Sequence, residues 1–377
     1  MKNAVIAGYA RSPFHFAGKG ELTRVRGDDL AAQVVRELVA RTKVNPADIE
    51  DVIIGCAFPE GEQGFNIGRL VGQLAGLPIS VAGATVNRFC GSSMQSVHIA
   101  AGQIAIGAGD VFICAGVESM TRVPMGGFNP LPNPELAKTT AAYIGMGDTA
   151  ENVAAKYDIS RSTQEAFAVQ SHKRASEAQA AGRLDAEIVP IKTKTGVIDK
   201  DGCIRPGTTA EALAGLKPAF SQDGTVTAGT SSPLTDGASA VLVTSEDYAR
   251  ANGLEILARI KSVAVAGCAP EIMGIGPVAS SRKALERAGV SASELSVVEL
   301  NEAFASQALA CIGDLGLDQA IVNIDGGAIA LGHPLGATGA RIVGKAASLL
   351  KREGGKYALA TQCIGGGQGI ATLLEAV

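Results

Sequence analysis

The 377-residue chain is 46% hydrophobic and 19% charged, and its 33 Lys and Arg against 37 Asp and Glu leave a net charge of -4. That balance excludes a disordered or supercharged chain and gives no basic footprint for nucleic acid or an anionic membrane. No apolar run approaches the roughly 20 residues of a bilayer span, and the seven cysteines, with no Cys-x-x-Cys pair among them, disfavour a disulfide framework or a zinc site.

In chain order, residues 1 to 8 read as a strand, with no secretory apolar segment and no Arg-rich presequence. Leu374-Glu375-Ala376-Val377 is not a peroxisomal address, so a soluble, reduced, cytoplasmic protein is expected. Short β-branched runs then alternate with longer amphipathic stretches, the pattern of an α/β protein. Asp28-Asp29 open a helix to about Lys43; Asn45-Pro46 close it, and Val52 to Gly55 follow as a buried strand. A capping box at Ser162-Thr163-Gln164-Glu165 starts a helix predicted to run to Gly182.

Part of the pattern repeats. Asn45 to Ile54 resembles Ser291 to Leu300, and each continues into an Ala-Phe pair, Ala57-Phe58 and Ala303-Phe304. Ala84 to Asn87 has a counterpart in Ala320 to Asn323, and Asp110 to Gly116 in Lys356 to Gln362. Matches kept in order at one offset indicate two copies of one α/β unit. The division expected is an N-terminal half over 1–117, an inserted loop domain over 118–248, and a C-terminal half over 249–377. The insertion opens on Gly126-Gly127, Asn129-Pro130 and Pro132-Asn133-Pro134, the punctuation of a long loop, where specificity commonly resides.

Four clusters carry chemistry. Cys90 follows a strand and precedes a helix predicted from Gly91 to about Ala108. Helix amides facing the sulfur would favour thiolate. Asn301 stands where a strand ends and a helix starts; it either caps that helix or faces a site. His333 lies in the glycine-rich run Asp325 to Ala340, pinned by Pro334. As a base it could take the proton of Cys90. The run lacks the Walker lysine and the dinucleotide spacing. Cys363 leaves a strand into Gly365-Gly366-Gly367, whose amides can point at an oxyanion. His15, His98 and His172 read as structural.

Together, Cys90-Gly91-Ser92-Ser93-Met94, Asn301-Glu302-Ala303-Phe304, Gly332-His333-Pro334-Leu335-Gly336 and Cys363-Ile364-Gly365-Gly366-Gly367 resemble the signature blocks of the thiolase family, in the family's order and over nearly the whole chain. The resemblance implies two repeated α/β halves layered αβαβα, with the insertion over the site. It further implies that Cys90 is the acylated nucleophile, His333 its activator and Cys363 the acid/base at the carbanion. Asn301 would hold a water that forms one oxyanion hole with His333; the amides of Cys90 and Gly365 would form the other. By the same resemblance Ser232 contacts pantetheine, Arg205 lies beside the adenine end of coenzyme A, and Met146 and Phe304 line the acyl pocket. Coenzyme A would be a substrate, with no metal and no bound cofactor required. Homodimers or homotetramers are implied, as is a possible β-oxidation partner subunit.

Two details favour a degradative 3-ketoacyl-CoA thiolase over an acetoacetyl-CoA-forming one. Gly145 precedes Met146 where some acetoacetyl-CoA-specific members carry His, and the nucleophile block reads Cys-Gly-Ser-Ser. A ketosynthase is disfavoured by Cys363 and the Asn301 block, and a non-catalytic lipid-binding relative by the presence of all four catalytic side chains.

Overall fold

The computed structural model describes residues 2–377; Met1, expected in the first strand, lies outside them. The main strands are β1 (Ala4–Arg11), β2 (Asp51–Gly55), β3 (Ala82–Val86), β4 (Val111–Ser119), β5 (Thr235–Ser245), β6 (Ala258–Gly267), β7 (Leu295–Leu300), β8 (Tyr357–Ile364) and β9 (Gln368–Glu375). The principal helices are α1 (Gly27–Thr42), α2 (Ile67–Leu74), α3 (Ser92–Ile106), α4 (Met146–Lys156), α5 (Arg161–Ala180), α6 (Gly276–Ala288), α7 (Ala305–Leu315) and α8 (Leu335–Glu353).

Strand order makes the repeat explicit. In the first half β3, β2, β4, β5 and β1 lie side by side. The pairs β3–β2 and β2–β4 are parallel, and β4–β5 and β5–β1 antiparallel. In the second half β7, β8, β9 and β6 follow the same senses, and a bridge from Val298 to Val322 supplies the counterpart of β3. The halves meet where β1 pairs β6 antiparallel through Val5 and Ile6. The segments matched in the sequence therefore occupy equivalent strands.

Three apolar cores separate the layers. One sits between α1, α2 and the outer face of the first half, built on Leu30, Val34, Val35, Leu38, Ile67 and Val71. A second, between α6, α7 and the second half, uses Leu285, Ala308, Ile312 and Leu359. The third lies between the two sheet halves around α3 and α8, with Met94, Val97, Ile342, Val343 and Ala346. This is the αβαβα layering. The central helices are buried on nearly all sides: every residue of α8 from Leu335 to Ala347 is buried, as befits a helix between two sheets. Small residues allow the close approach. Gly116 of β4 lies directly on the Gly336 carbonyl and the Ser93 side chain, leaving no room for a Cβ.

Two expectations shift. The α5 helix is capped by Ser160, whose hydroxyl accepts from Thr163 N, rather than by a box at Ser162. The stretch 118–248 ends in β5, a fully buried strand between β4 and β1, because Gly237 to Thr244 is apolar enough to sit inside the sheet. What drapes the scaffold is the part between β4 and β5.

Candidate active site

Cys90 occupies the turn joining β3 to α3. The turn is held by side chains: Asn87 Oδ1 accepts from Phe89 N at 2.8 Å, and Ser92 Oγ accepts from Arg88 N at 2.9 Å while donating to Phe89 O at 2.5 Å. They keep Phe89 at φ 42, an uncommon conformation for a non-glycine residue. Gln362, beside Cys363, donates its amide to the Cys90 carbonyl. The half-buried Cys90 is thus fixed from both halves of the chain.

Its thiol is not the pre-formed thiolate that a helix N-terminus suggested. Burial pushes it up to about 11, with the negative Glu118 adding to the shift; the amides of Gly365 and of Cys90 itself pull the other way. The first turn shows why helix amides do not offset this burial. The N–H groups of Gly91 and Ser92 are already bonded to the carbonyls of Arg88 and Phe89, at 2.9 and 3.1 Å, and do not serve the sulfur. The two amides that do serve it form a small pocket of positive potential.

His333 is buried at the end of α8's leading loop. Its Nδ1 lies 2.6 Å from Thr338 Oγ1, and that hydroxyl donates to Pro334 O at 3.0 Å. Thr338 therefore accepts from Nδ1–H, which leaves Nε2 as the acceptor. Asn301 Nδ2 lies 3.3 Å from Nε2. Burial, with Arg341 assisting, pushes His333 down to about 3, so it rests neutral, its Nε2 lone pair met by the long contact from Asn301. Asn301 is fully buried and does not cap α7, which starts after Phe304. Its Oδ1 has no partner among the described residues.

Cys363 is buried at the end of β8, and desolvation, then the neighbouring Cys90, hold its thiol well above its ordinary value. It rests as a neutral proton donor. It packs with Ala150, Val226, Met273, Ala303 and Phe304, with Met146 at the margin. Phe304 meets Phe220 edge-on at 5.9 Å.

Family models for the thiolase N-terminal and C-terminal domains match residues 4–247 and 254–376. The chain belongs to the thiolase family. Among its relatives are proteins named 3-ketoacyl-CoA thiolase from Bacillus subtilis (strain 168), 48% identical over 389 residues, and Shewanella frigidimarina (strain NCIMB 400), 50% identical over 388. A third, from Vibrio cholerae serotype O1 (strain ATCC 39315 / El Tor Inaba N16961), is 48% identical over 386 residues. Each alignment covers 100% of both chains.

Within this thiolase the expected site residues fall into groups. Cys90, Cys363 and Gly365 adjoin one another, and Asn301 reaches His333. Met146 packs near Gly365, where an added Cβ would lie 3.5 Å from its sulfur. Ser232 is half-buried, its amide bonded to Ala303 O at 2.9 Å, next to Phe304. Arg205 is exposed and stands apart, its guanidinium 5.2 Å from the Phe16 ring.

Several working residues carried no signal in the sequence. Thr338 and Thr235 orient His333, the latter by accepting from His333 N at 3.1 Å. Glu118, buried, accepts from the amides of Ala57, Phe58 and Gly336 and from Gln63. It thereby ties the His333 loop to the first half. A carboxylate ending an otherwise apolar strand was the one available hint. Among the described residues no cluster of His, Cys, Asp or Glu could hold a metal ion, and no helix is long and apolar enough to cross a membrane.

Proposed function

We propose that the enzyme is a degradative 3-ketoacyl-CoA thiolase working by ping-pong chemistry through acyl-Cys90. The observation that carries this is the meeting of a half-buried cysteine, two amides directed at it, and a second, protonated cysteine. In this reading the His333 imidazole reaches the Cys90 thiol in the substrate complex, and because both are neutral the proton transfer is concerted with attack. Cys90 sulfur attacks the 3-keto carbon as its proton passes to His333 Nε2. The C2–C3 bond breaks, its electron pair goes to C2, and the Cys363 thiol protonates that carbon. Acetyl-CoA leaves. Coenzyme A then gives its thiol proton to the Cys363 thiolate and attacks the Cys90 thioester; the shortened acyl-CoA is released as the departing Cys90 sulfur takes its proton back from His333.

Charge develops on two oxygens. A water held by Asn301, with His333, serves the thioester enolate; the amides of Cys90 and Gly365 serve the tetrahedral centre on Cys90. The reverse direction, forming acetoacetyl-CoA, uses the same groups, with the Cys363 thiolate as base at the acetyl methyl. Gly145 before Met146 supports the degradative reading. So do the names of the relatives. Met146 and Phe304 line the acyl pocket; Ser232 contacts pantetheine and Arg205 the adenine end. Coenzyme A is a substrate and no metal takes part.

We also assign the halves to 1–117 and 249–377, with 118–248 contributing substrate contacts apart from its last strand β5, which completes the sheet of the first half, and a cytoplasmic site of action. The β3 strand lies at the open end of the strand order, unpaired on one side, which supports assembly as a homodimer or homotetramer. A partner subunit carrying other β-oxidation steps is compatible with this role. Thiolysis kinetics over short, medium and long 3-ketoacyl-CoA substrates test the reading: turnover beyond acetoacetyl-CoA is expected, and activity confined to acetoacetyl-CoA would contradict it.

A further inference from the structure

Far along α8 from His333 lies a second polar cavity. It measures about 170 Å³, and Tyr9, Arg183, Glu187, Lys345, Leu349 and Arg352 line it. Its walls come from β1, from the segment after α5, and from α8, so it joins both halves to the draping stretch. Arg341, Lys345, Ser348 and Arg352 follow one face of α8 at three- and four-residue spacing. It is separate from the cluster around Cys90.

Cations and carboxylates interlock around it. Asp325 alone receives Arg183 Nε at 2.9 Å, Lys345 Nζ at 2.8 Å and Arg352 Nη1 at 2.7 Å. Glu187 is shared between Lys345 and Arg11, at 2.9 and 2.8 Å, and Arg11 is further clamped by Asp201. The lining itself carries three cations against one carboxylate. Donors are also in excess. The Tyr9 hydroxyl, on a residue 8% exposed, has no partner among the described residues. Nε and Nη1 of the neighbouring Arg341, 1% exposed, likewise have no partner among the described residues, its Nη2 alone bonding Glu299 at 3.2 Å. On Arg183 only Nε is engaged. Buried donors require acceptors. Planar guanidiniums with free N–H edges suit oxyanions in particular.

We propose that this cavity is a binding site for a small oxyanion of the phosphate or sulfate type, held by Tyr9 Oη, Lys345 and the free edge of Arg183, while Arg352 is spent on Asp325 and Glu353. The anion bridges the two halves and so stabilises the fold without entering the thiolase reaction. The volume also accommodates several waters at roughly 30 Å³ each, and the experiment separates the two occupants.

Thermal unfolding of the full-length protein is followed in chloride buffer with added inorganic phosphate, sulfate or acetate, at constant ionic strength. Saturable stabilisation by phosphate or sulfate is expected. Arg183→Gln, at a partly exposed position, and Tyr9→Phe should each weaken the apparent affinity at least tenfold while leaving thiolysis kinetics unchanged. Arg205→Gln, removing the cation proposed at the adenine end of coenzyme A, should not. A crystal soaked in selenate should show anomalous density within hydrogen-bond distance of Tyr9 Oη. The proposal is overturned if no oxyanion stabilises the protein saturably, if only Arg205→Gln abolishes the effect, or if the cavity shows waters alone. Because the readout is unfolding and density, its failure leaves the catalytic reading standing, and loss of the catalytic reading leaves it standing too.

Discussion

Replacing Thr338 by valine isolates the orientation of His333. Valine keeps the shape of threonine and removes the oxygen 2.6 Å from His333 Nδ1. Two consequences follow: the buried Nδ1–H loses its acceptor, and only the long contact from Asn301 Nδ2 is left to favour the form with Nε2 unprotonated. An unsatisfied buried donor costs about 1–3 kcal/mol. If that cost falls on the reactive arrangement, at about 1.4 kcal/mol per factor of ten, acylation should slow roughly 5- to 150-fold. Pro334 O loses the Thr338 hydroxyl but keeps the amides of Ala337 and Thr338, so the cost centres on His333. Stopped-flow acylation by acetyl-CoA and deacylation by coenzyme A are the assays, both half-reactions slowing together with little change in KM. Thr338→Ser should restore most of the rate. Full activity in Thr338→Val, or no rescue by serine, would refute the assignment of Nε2 as the base through this bond.

Cys363→Ala should still accept an acetyl group on Cys90 yet fail to turn over, because the carbanion has lost its proton source; normal turnover would remove Cys363 from the mechanism. The pH dependence of stability is also set by burial. His98, His172 and His333 are held neutral, pushed down to about 3, about 4 and about 3 by burial. In an unfolded chain histidine titrates near 6.5. Below that value the unfolded state binds more protons, so stability should fall on acidification. Between pH 6.5 and 5.5 the three together should cost about 3 kcal/mol. Glu299 opposes them. Burial raises its carboxyl to about 7, so the folded form takes up the proton and stability returns by about 1 kcal/mol. Glu118, Glu302 and Asp236, whose carboxyls burial also raises, act in the same sense as Glu299, so a net loss of at most about 2 kcal/mol is the expected result of urea titrations at the two pH values, and a gain would contradict it.

The scaffold was largely legible in the sequence because periodicity and order record it. Strands such as Val52 to Gly55 and Tyr357 to Ile364 are short apolar runs, and their repeat marks equivalent places in the two halves. Element ends were less visible: Ser160 rather than Ser162 caps α5, since either serine precedes a plausible first turn. The β5 strand was absorbed into the insertion because it is fully buried and lacks alternation. In the site, reactive types in glycine-rich turns stood out, but the residues that orient them did not. Thr338, Thr235, Gln362 and Glu118 act through contacts up to 272 residues apart. No local pattern encodes those. Nor did the strand–turn–helix pattern disclose that burial raises the Cys90 thiol while the amides of Gly91 and Ser92 are spent on the turn carbonyls.

That resting thiol is the centre of the account, and it can be intercepted directly. The intact enzyme is incubated with acetyl-CoA, quenched in acid and digested, and the peptides are read by mass spectrometry. One acetyl group per chain, on the peptide bearing Cys90 and released by coenzyme A, is the predicted result. Acetylation elsewhere with Cys90 unmodified, or full thiolysis by Cys90→Ala, would contradict it.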